Sequence, residues 1–438
     1  MAFSLHGVHV PHRKNTRNMP PVVMTPPKTV TIPMSMHIGA PAKPCVKVGD
    51  LVSVGTLIAE AGGFVSAPIH ASVSGKVTKI ADFLLSSGQT VPAVVIESDG
   101  LMTPDPALIP PAVDSRESLL EAIKQSGVVG LGGAGFPTHV KFNVDPDRIE
   151  HLIVNGAECE PYITSDTRTM LDRTEDMKRA LEAMKKYFGI KNIVIGIENN
   201  KKEAIASMRQ LMKETCEGCT FTVKSLPAVY PQGGEKVLIY HTVGRVVPEG
   251  KLPIDVGCVV INCTTLATIG TYLKTGMPLV EKCVTVDGGA VANPQNVLAP
   301  VGTAIADLFA ACGGLTCDPA KIIYGGPMMG VTVPDATEPL MTNTNAVMAL
   351  TAKEAWLPKT TACIRCGSCT NHCPFGLAPM AISHAYKVGD VEALKALNVE
   401  SCMLCGCCSF VCPANRPLVQ RNKLSKDLLK ELRAKEGK

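Results

Sequence analysis

Two groups of four cysteines in the C-terminal part of the chain have the same spacing. The first group is Cys363, Cys366, Cys369 and Cys373, the second is Cys402, Cys405, Cys408 and Cys412, and a proline follows each group. Both match C-x2-C-x2-C-x3-C-P, in which three closely spaced thiolates bind one iron–sulfur cubane and the fourth binds its neighbour. The spacing predicts two low-potential [4Fe–4S] clusters, and therefore an electron-transfer protein. One cluster takes Cys363, Cys366, Cys369 and Cys412, and the other takes Cys402, Cys405, Cys408 and Cys373.

Zinc is the alternative metal for such cysteines. Structural zinc sites commonly use two separated C-x2-C pairs, and the doubled four-cysteine pattern with proline favours clusters instead. Cys407 also lies in the second group, but it aligns with Ser368 of the first group, which predicts that Cys407 is not a ligand. Cys216 and Cys219 form an isolated C-x2-C pair, which we interpret as buried or loop thiols.

Length and composition bound the remaining possibilities. A chain of 438 residues is long for one core and predicts about three or four domains. The net charge of +4 and the 4% of aromatic residues argue against a nucleic-acid partner. The first residues lack the apolar segment of a signal peptide, so the 18 cysteines are expected to be thiols of a reducing cytoplasm. No apolar run is long enough to predict a transmembrane helix.

The elements that must position the cysteines indicate a multidomain α/β protein. We predict an extended N-terminal arm, a β domain, an α/β domain, a second small β domain and a helical tail that carries the cysteines, with bounds 1–35, 36–105, 106–276, 277–350 and 351–438. Strand-like runs such as HLIVNGAE and KNIVIGIEN alternate with predicted helices at Thr167–Phe188 and Lys201–Lys213, which is typical of an α/β domain. The segment between the two cysteine groups has a helical pattern, so the tail is expected to be an α-helical ferredoxin module.

The two β domains resemble known modules. KVGDLVSVGTLIAE and APIHASVSGKVTKI resemble the barrel-sandwich fold of biotinyl and lipoyl carriers. Those carriers present a modified lysine at a hairpin tip, and the equivalent tip within Pro68–Gly75 has no lysine, so a swinging arm is not expected. The hairpin, loop and short helix after Met277 resemble the soluble-ligand-binding β-grasp domain that follows flavin domains in NADH dehydrogenases.

A glycine-rich loop supplies the second kind of chemistry. Gly130, Gly132, Gly133 and Gly135 form a literal G-x-G-x-x-G that runs on to Phe136 and Lys141. A dinucleotide fingerprint needs a strand before it and a helix after it. Here a predicted helix precedes the loop and Phe136-Pro137 interrupts its exit, so that fingerprint fails. The loop still offers bare amides to a phosphate or a flat ring, and Lys141 adds charge.

The segments GGAGFPTHVK, VNGAECEP and VVINCTTLA together resemble the flavin-binding subunit of complex I. With the carrier-like domain and the cysteine tail, nearly the whole chain resembles the C subunit of the Rnf complex. The resemblance implies an FMN and NADH pocket, with Phe136 stacked on the adenine. Its residues would be Gly130, Gly132, Gly133, Gly135, Phe136, Lys141, Asn155, Glu158, Tyr230, Gly233, Glu235, Asn262 and Thr265. Two positions depart from complex I: Leu131 replaces an arginine and Ala157 replaces an aspartate.

The same resemblance implies a function. The chain would exchange hydride between NAD(H) and FMN, pass single electrons through two [4Fe–4S] clusters, and so couple ferredoxin oxidation to NAD+ reduction. It would lie at the cytoplasmic face of the bacterial inner membrane, with a ferredoxin-like cluster subunit and integral membrane subunits as partners. The alternatives are a soluble cobalamin reductase of microcompartments and an electron-wire subunit without a flavin. The terminal segment Leu418–Lys438 is either a docking helix for a membrane or partner, or an ordinary solvated helix.

Overall fold

The computed structural model describes residues 6–86, 88–133, 135–215 and 218–436. Within these ranges the helices and strands form four domains along the chain, preceded by an arm. Each domain buries a hydrophobic cluster of its own, which is how a chain of this length divides its core. No helix in the described ranges is long and apolar enough to cross a membrane.

The N-terminal arm is pinned to three domains. His6 Nδ1 lies 3.0 Å from the carbonyl oxygen of Asn371 in the cysteine-rich tail. Val8 and Tyr230 exchange two backbone hydrogen bonds of 2.9 and 3.0 Å. Further along, strand β1 (Val22–Val23) pairs in parallel with a strand of the second β domain. The arm therefore acts as a strap across the molecule.

The first β domain is a barrel of two small sheets. Its strands are β2 (Thr29–Pro33), β3 (Lys43–Pro44), β4 (Leu51–Val52), β5 (Leu57–Glu60), β6 (Ile69–His70), β7 (Gly75–Leu84) and β8 (Thr90–Ser98). The sheet orders are β2-β8-β7-β4 and β3-β5-β6. Residues 29–33, which the sequence analysis placed in the arm, pair with β8 along their whole length and so lie in the barrel.

The carrier-type hairpin tip of this barrel is buried. Ala67, Ala71 and Val73 are at most 1% exposed. Ser72 Oγ donates a 2.5 Å hydrogen bond to the carbonyl oxygen of Val301 in the second β domain. The tip is therefore packed inside the molecule and has no freedom to carry a group between sites.

The α/β domain contains a parallel sheet. Its elements are α1 (Arg116–Gln125), α2 (Thr138–Phe142), β9 (His151–Asn155), α3 (Ser165–Asp172), α4 (Thr174–Phe188), β10 (Asn192–Glu198), α5 (Lys202–Thr215), β11 (Thr220–Leu226), α6 (Glu235–Val243), β12 (Cys258–Asn262) and α7 (Cys263–Thr275). The strand order is β11-β10-β9-β12, and all pairs are parallel. Parallel strands end at one edge, which is where ligands bind in such sheets.

One predicted helix of this domain is divided in two. The segment Thr167–Phe188 was expected to be continuous, but Arg173 interrupts it with φ −125° and ψ 34°. The Arg173 guanidinium donates to Asp176 Oδ2 at 3.3 Å and to Thr271 Oγ1 at 2.6 Å. These bonds, one of them to the distant helix α7, hold the break between α3 and α4.

The second β domain is a mixed sheet with one short helix. Its elements are β13 (Glu281–Asp287), β14 (Gln295–Pro300), α8 (Ile305–Ala311), β15 (Lys321–Tyr324), β16 (Val331–Val333) and β17 (Ala346–Leu350). The order is β1-β14-β13-β17-β15-β16, and β13 and β14 form the predicted hairpin. Strand β1 of the arm covers the β14 edge, which would otherwise expose unpaired backbone groups.

The cysteine-rich tail is helical, as predicted. It contains α9 (Ser368–Asn371), α10 (Pro379–Val388), α11 (Val391–Ala396), α12 (Cys407–Phe410) and α13 (Leu418–Glu436). The two cysteine motifs fold alike: φ is positive at Arg365 and at its equivalent Leu404, and again at Gly367 and at its equivalent Gly406. These left-handed residues curl each motif into a loop before a short helix. Helix α13 packs on α10 and on the second motif, since Lys426 Nζ donates to Cys402 O at 2.6 Å.

Candidate functional site: a flavin loop and two cysteine sites

The cysteines assigned to the first cluster line one cavity. Cys363, Cys366, Cys369 and Cys412 face a space of about 250 Å³ at the surface of the tail. Three come from the first motif and one from the second, which is the exchange of ligands that the spacing predicts. The Arg365 backbone amide donates to Cys363 Sγ at 3.4 Å, a bond that suits a thiolate ligand. We call this group the distal site.

The cysteines assigned to the second cluster form a buried group. Cys373, Cys402, Cys405 and Cys408 are each at most 9% exposed. Burial raises the pKa of Cys408 to about 12, and the neighbouring Cys402, Cys405 and Cys373 add to the effect. The side-chain amide of Asn422 donates to Cys402 Sγ at 3.4 Å. These four thiols are all buried in the tail, and we call them the proximal site.

Cys407 lies between two proximal cysteines but is turned towards the α/β domain. Its side chain is 1% exposed, and its Sγ lies 3.9 Å from the carbonyl oxygen of Tyr230. This position agrees with the alignment of Cys407 with Ser368. Of the isolated C-x2-C pair, Cys216 lies outside the described residues, and Cys219 is partly buried just before β11.

The glycine-rich loop closes on itself beside β12. The Gly130 amide donates to Phe136 O at 2.8 Å, and the Gly135 amide donates to Gly130 O at 3.1 Å. A Cβ atom on Gly132 would lie 3.0 Å from Nδ2 of Asn262. The loop therefore packs closely against the end of β12 at Gly132, while Phe136 is half-buried at the loop exit.

Two asparagines stand side by side at the carboxyl ends of neighbouring strands. Asn155 and Asn262 are register partners in the β9–β12 pair. Asn155 Nδ2 donates to Gly233 O at 2.9 Å. Asn262 Oδ1 accepts from the amides of Thr264 and Thr265 at 2.9 and 3.1 Å. Asn262 is thus the N-cap of α7, the structural role that its position before a helix favours.

Lys141 joins the loop region to two other elements. Its Nζ donates to Glu235 Oε1 at 3.1 Å and to Val260 O at 2.8 Å. Thr265 Oγ1 accepts from the Leu131 amide at 2.9 Å. The structure therefore gathers most of the predicted flavin residues at one edge of the sheet, which we call the flavin edge. They are Gly130, Gly132, Gly133, Gly135, Phe136, Lys141, Asn155, Gly233, Glu235, Asn262 and Thr265.

Glu158, one of the predicted flavin residues, binds the start of α3 through its carboxylate. Its carboxylate accepts from the Asp166 amide at 2.8 Å and from Thr167 Oγ1 at 2.7 Å, at the start of α3. The side chain is buried, and burial raises the pKa of Glu158 to about 7. The carboxylate is therefore used by the protein itself.

Tyr230, another predicted flavin residue, contacts the cysteine-rich tail. Its hydroxyl donates a 2.6 Å hydrogen bond to the carbonyl oxygen of Cys405 in the proximal site. The neighbouring Gly234 lies so close to Met403 that an added Cβ atom would collide with the Met403 methyl group. The segment from Tyr230 to Gly234 thus connects the proximal site to Glu235 of the flavin edge.

Three lysines with largely buried side chains lie near this edge, and the sequence analysis did not predict a role for them. Lys14 of the strap donates to the carbonyl oxygens of Glu158 and Glu160, each at 2.8 Å. Lys201 donates to Glu158 O at 3.1 Å. Lys282 of the second β domain is 3% exposed. No local pattern marks Lys14 and Lys282, because their acceptors lie more than 40 positions away along the chain. Lys201 also pairs with Glu198, three positions before it.

Glu160 gives the stability of the protein a pH dependence. Its carboxylate accepts from the amides of Met328 and Met329 at 3.1 and 2.7 Å, yet burial raises its pKa to about 7. The folded protein therefore holds a proton that the unfolded chain releases between the ordinary pKa of 4.5 and about 7. The stability contributed by the protonated carboxyl is present below this window and is lost as pH rises through it.

We expect Glu160→Gln to remove this part of the pH dependence. Thermal unfolding from about pH 5 to about pH 8 should show the wild type losing stability relative to Glu160→Gln as pH rises. Glu117→Gln, at an exposed residue of α1, is the control and should follow the wild type. If the difference in thermal stability between the wild type and Glu160→Gln is the same at all pH values, the raised pKa of Glu160 is contradicted.

Family models match the four domains in order along the chain. Residues 3–101 match the RnfC barrel sandwich hybrid domain, and residues 123–271 match the Nuo51 FMN-binding domain. Residues 283–332 match the SLBB domain, and residues 356–413 match a 4Fe-4S dicluster domain. The expected fold classes are confirmed, as are FMN and two [4Fe–4S] clusters as cofactors.

Curated relatives are similar over most of the chain. The C subunit of the Na+-translocating ferredoxin:NAD+ oxidoreductase complex of Acetobacterium woodii is 42% identical over 86% of this chain and 86% of its own length. The C subunit of the proton-translocating ferredoxin:NAD+ oxidoreductase complex of Clostridium ljungdahlii is 41% identical over 86% of this chain and 83% of its own. The C subunit of the ion-translocating oxidoreductase complex of Rhodobacter capsulatus is 38% identical over 98% of this chain and 84% of its own length.

A solved structure shares the fold. A chain of an NAD+-reducing [NiFe]-hydrogenase in the H2-reduced state superposes with a TM-score of 0.50 at 17% identity, covering 71% of this chain and 61% of that one. Fold and site together define a flavin- and iron–sulfur-dependent oxidoreductase subunit. Within that class, the chain belongs to the RnfC family, the C subunits of ion-translocating ferredoxin:NAD+ oxidoreductase complexes. The resemblance drawn from the sequence is thereby confirmed, and the cobalamin reductase and electron-wire alternatives gain no support.

Proposed function

We propose that this chain is the NADH-reactive subunit of a membrane-bound ion-translocating ferredoxin:NAD+ oxidoreductase. It exchanges hydride between NAD(H) and FMN and passes single electrons through its two clusters, reversibly. The observation that carries the proposal is the contact between the flavin edge and the proximal site. There the Tyr230 hydroxyl binds Cys405 O at 2.6 Å, and Gly234 packs on Met403.

Flavin binding and cluster binding fall to different groups of residues. FMN takes up a hydride as an electron pair and releases electrons singly, and each [4Fe–4S] cluster carries one electron. The glycine loop and Lys141 hold the flavin at the edge of the parallel sheet, with Asn155, Glu235, Asn262 and Thr265 around it. The eight motif cysteines hold the clusters in the proposed sets of three and one. No side chain acts as a nucleophile or general base.

The two cysteine sites lie at different depths in the protein, which indicates the order in which electrons would reach them. The proximal site is buried against the α/β domain, whereas Cys366 of the distal site is exposed. Clusters held at these two sites would therefore offer electrons a path between the flavin edge and the surface, through the proximal site and then the distal site. The distal site is where a partner exchanges them.

We further propose that this partner is a ferredoxin-like cluster subunit, and that integral membrane subunits anchor the complex at the cytoplasmic face of the bacterial inner membrane. Arg365 and Arg416 line the distal cavity, and Ile364 beside them is 69% exposed. Trp356 and Leu357, which precede the first motif, are 70% and 75% exposed. A basic rim with apolar side chains suits an acidic electron-carrier protein.

Reversing the charge of Arg365 should slow this exchange. We expect Arg365→Glu to lower the rate of reduction by an acidic ferredoxin by about tenfold at low salt, and the loss should shrink as ionic strength rises. Stopped-flow measurements at two salt concentrations test this. Lys430→Glu, on the exposed side of α13, is the control. A salt-independent loss, or none, contradicts this docking surface.

Anaerobic titration with NADH tests the function as a whole. We expect NADH to bleach the flavin absorption of the purified, iron-loaded chain and then to produce electron paramagnetic resonance (EPR) signals of reduced clusters. An iron-loaded chain that binds FMN and shows no bleaching with NADH would falsify the proposal.

A further inference from the structure

Neighbouring domains hold the carbonyl groups of the glycine loop at alternate positions. Leu131 O accepts from Lys282 Nζ at 2.9 Å, and Gly133 O accepts from Asn343 Nδ2 at 3.0 Å. Gly135 O accepts from the backbone amide of Ile38 at 3.0 Å. The first two donors belong to the second β domain, which is the β-grasp domain, and the third belongs to the barrel. The carbonyl groups of Leu131, Gly133 and Gly135 therefore all accept hydrogen bonds from other domains.

Lys282 is an unusual donor for this task. It is 3% exposed, and its Nζ donates a second hydrogen bond to Thr342 O at 2.9 Å. Burial lowers its pKa to about 7, while the nearby Asp166 carboxylate favours the charged form. A buried ammonium is costly unless it is well bonded. Its two acceptors are carbonyl oxygens, and one of them belongs to the loop that we assign to the flavin.

The amide side of the loop remains available. Gly132 and Gly133 are exposed, and a Cβ atom on Gly133 would meet nothing within 4 Å. In the part of the chain that the structure describes, the amides of these two glycines have no protein acceptor. The Leu131 carbonyl and the Gly132 amide belong to one peptide unit and point in opposite directions, so holding that carbonyl on one side presents the Gly132 amide on the other.

We propose that Lys282 and Asn343 are positioning residues of the flavin site. They hold the carbonyl groups of Leu131 and Gly133 against the β-grasp domain, and the bond from Lys282 to Leu131 O leaves the Gly132 amide to bound FMN. This inference rests on the proposed function, since it takes the loop as the flavin loop. It makes the β-grasp domain part of the cofactor site as well as a neighbour of it.

The test compares Lys282→Met and Asn343→Ala with Lys321→Met, a control on β15 of the same domain. FMN is titrated into the iron-loaded, flavin-free full chain and followed by fluorescence quenching. The midpoint potential of bound FMN is then measured by spectroelectrochemistry. Iron content and thermal unfolding are recorded alongside. Asn343 lies at the surface, so its variant decides the question if Lys282→Met fails to fold.

We expect the Kd for FMN to rise about tenfold in Lys282→Met and about threefold in Asn343→Ala, with Lys321→Met unchanged. The potential of bound FMN should move towards that of free FMN in both variants, a change that a purely structural role does not produce. Wild-type affinity and potential in a folded Lys282→Met, or in Asn343→Ala, overturn the inference and leave the proposed function standing. Failure of the wild-type chain to bind FMN refutes the proposed function itself.

Discussion

Replacing Cys408 by serine is expected to halve the iron content of the protein, from about eight atoms per chain to about four. Cys408 lies in the proximal site with Cys402, Cys405 and Cys373. Serine cannot supply the thiolate, so the proximal cluster should be lost while the distal cysteines keep theirs. NADH should still bleach the flavin, but the distal cluster should no longer be reduced by NADH.

Cys407→Ser is the matched control, because Cys407 is adjacent in sequence and also buried in α12. It should keep about eight iron atoms and both cluster signals. The comparison also tests the ligand assignment itself. Full iron in Cys408→Ser, or half in Cys407→Ser, contradicts the proposed set.

Replacing Lys141 by methionine should have the largest effect on the flavin. Lys141 Nζ joins Val260 O and Glu235 Oε1 at the flavin edge, so methionine removes a cation and leaves Glu235 without its partner. We expect the Kd for FMN to rise about thirtyfold or more, as loss of a charged hydrogen-bond donor implies. Fluorescence titration of the flavin-free, iron-loaded chain measures the effect.

Lys236→Met provides the control for this prediction. Lys236 follows Glu235 on α6, and its Nζ donates to Pro248 O at 3.4 Å. Its variant should bind FMN as the wild type does, and both variants should keep their iron. Unchanged FMN affinity in Lys141→Met would remove Lys141 from the flavin site.

Local sequence patterns were enough to predict much of the fold and the cysteine sets of the metal sites. Ligands two or three residues apart are set by the loop that holds them, so the cysteine spacing alone predicted two sets of three and one. Apolar runs predicted β9 and β10, and the flanking context showed that G-x-G-x-x-G does not open a Rossmann helix. Asn262 precedes α7, and the structure gives it the capping role that this position favours.

Contacts between distant segments could not be predicted in this way. The hydroxyl of Tyr230 binds Cys405 O, 175 positions away, and Lys282 reaches Leu131 O over 151 positions. Lys14 lies in a segment without periodic pattern, yet it is bonded to three carbonyl groups of the loop after β9. The break at Arg173 depends on Thr271 in another helix. Such pairings are decided by domain packing, which leaves no mark on the residues nearby in sequence.

The most direct test of the electron path is rapid mixing of the anaerobic, flavin- and iron-loaded chain with NADH, followed by freeze-quench EPR. Signals are assigned with Cys408→Ser, which lacks the proximal cluster, and Cys366→Ser, which lacks the distal one. The account predicts that the flavin bleaches first, that the proximal cluster is reduced next, and that the distal cluster follows. Reduction of the distal cluster in Cys408→Ser at the wild-type rate would contradict it.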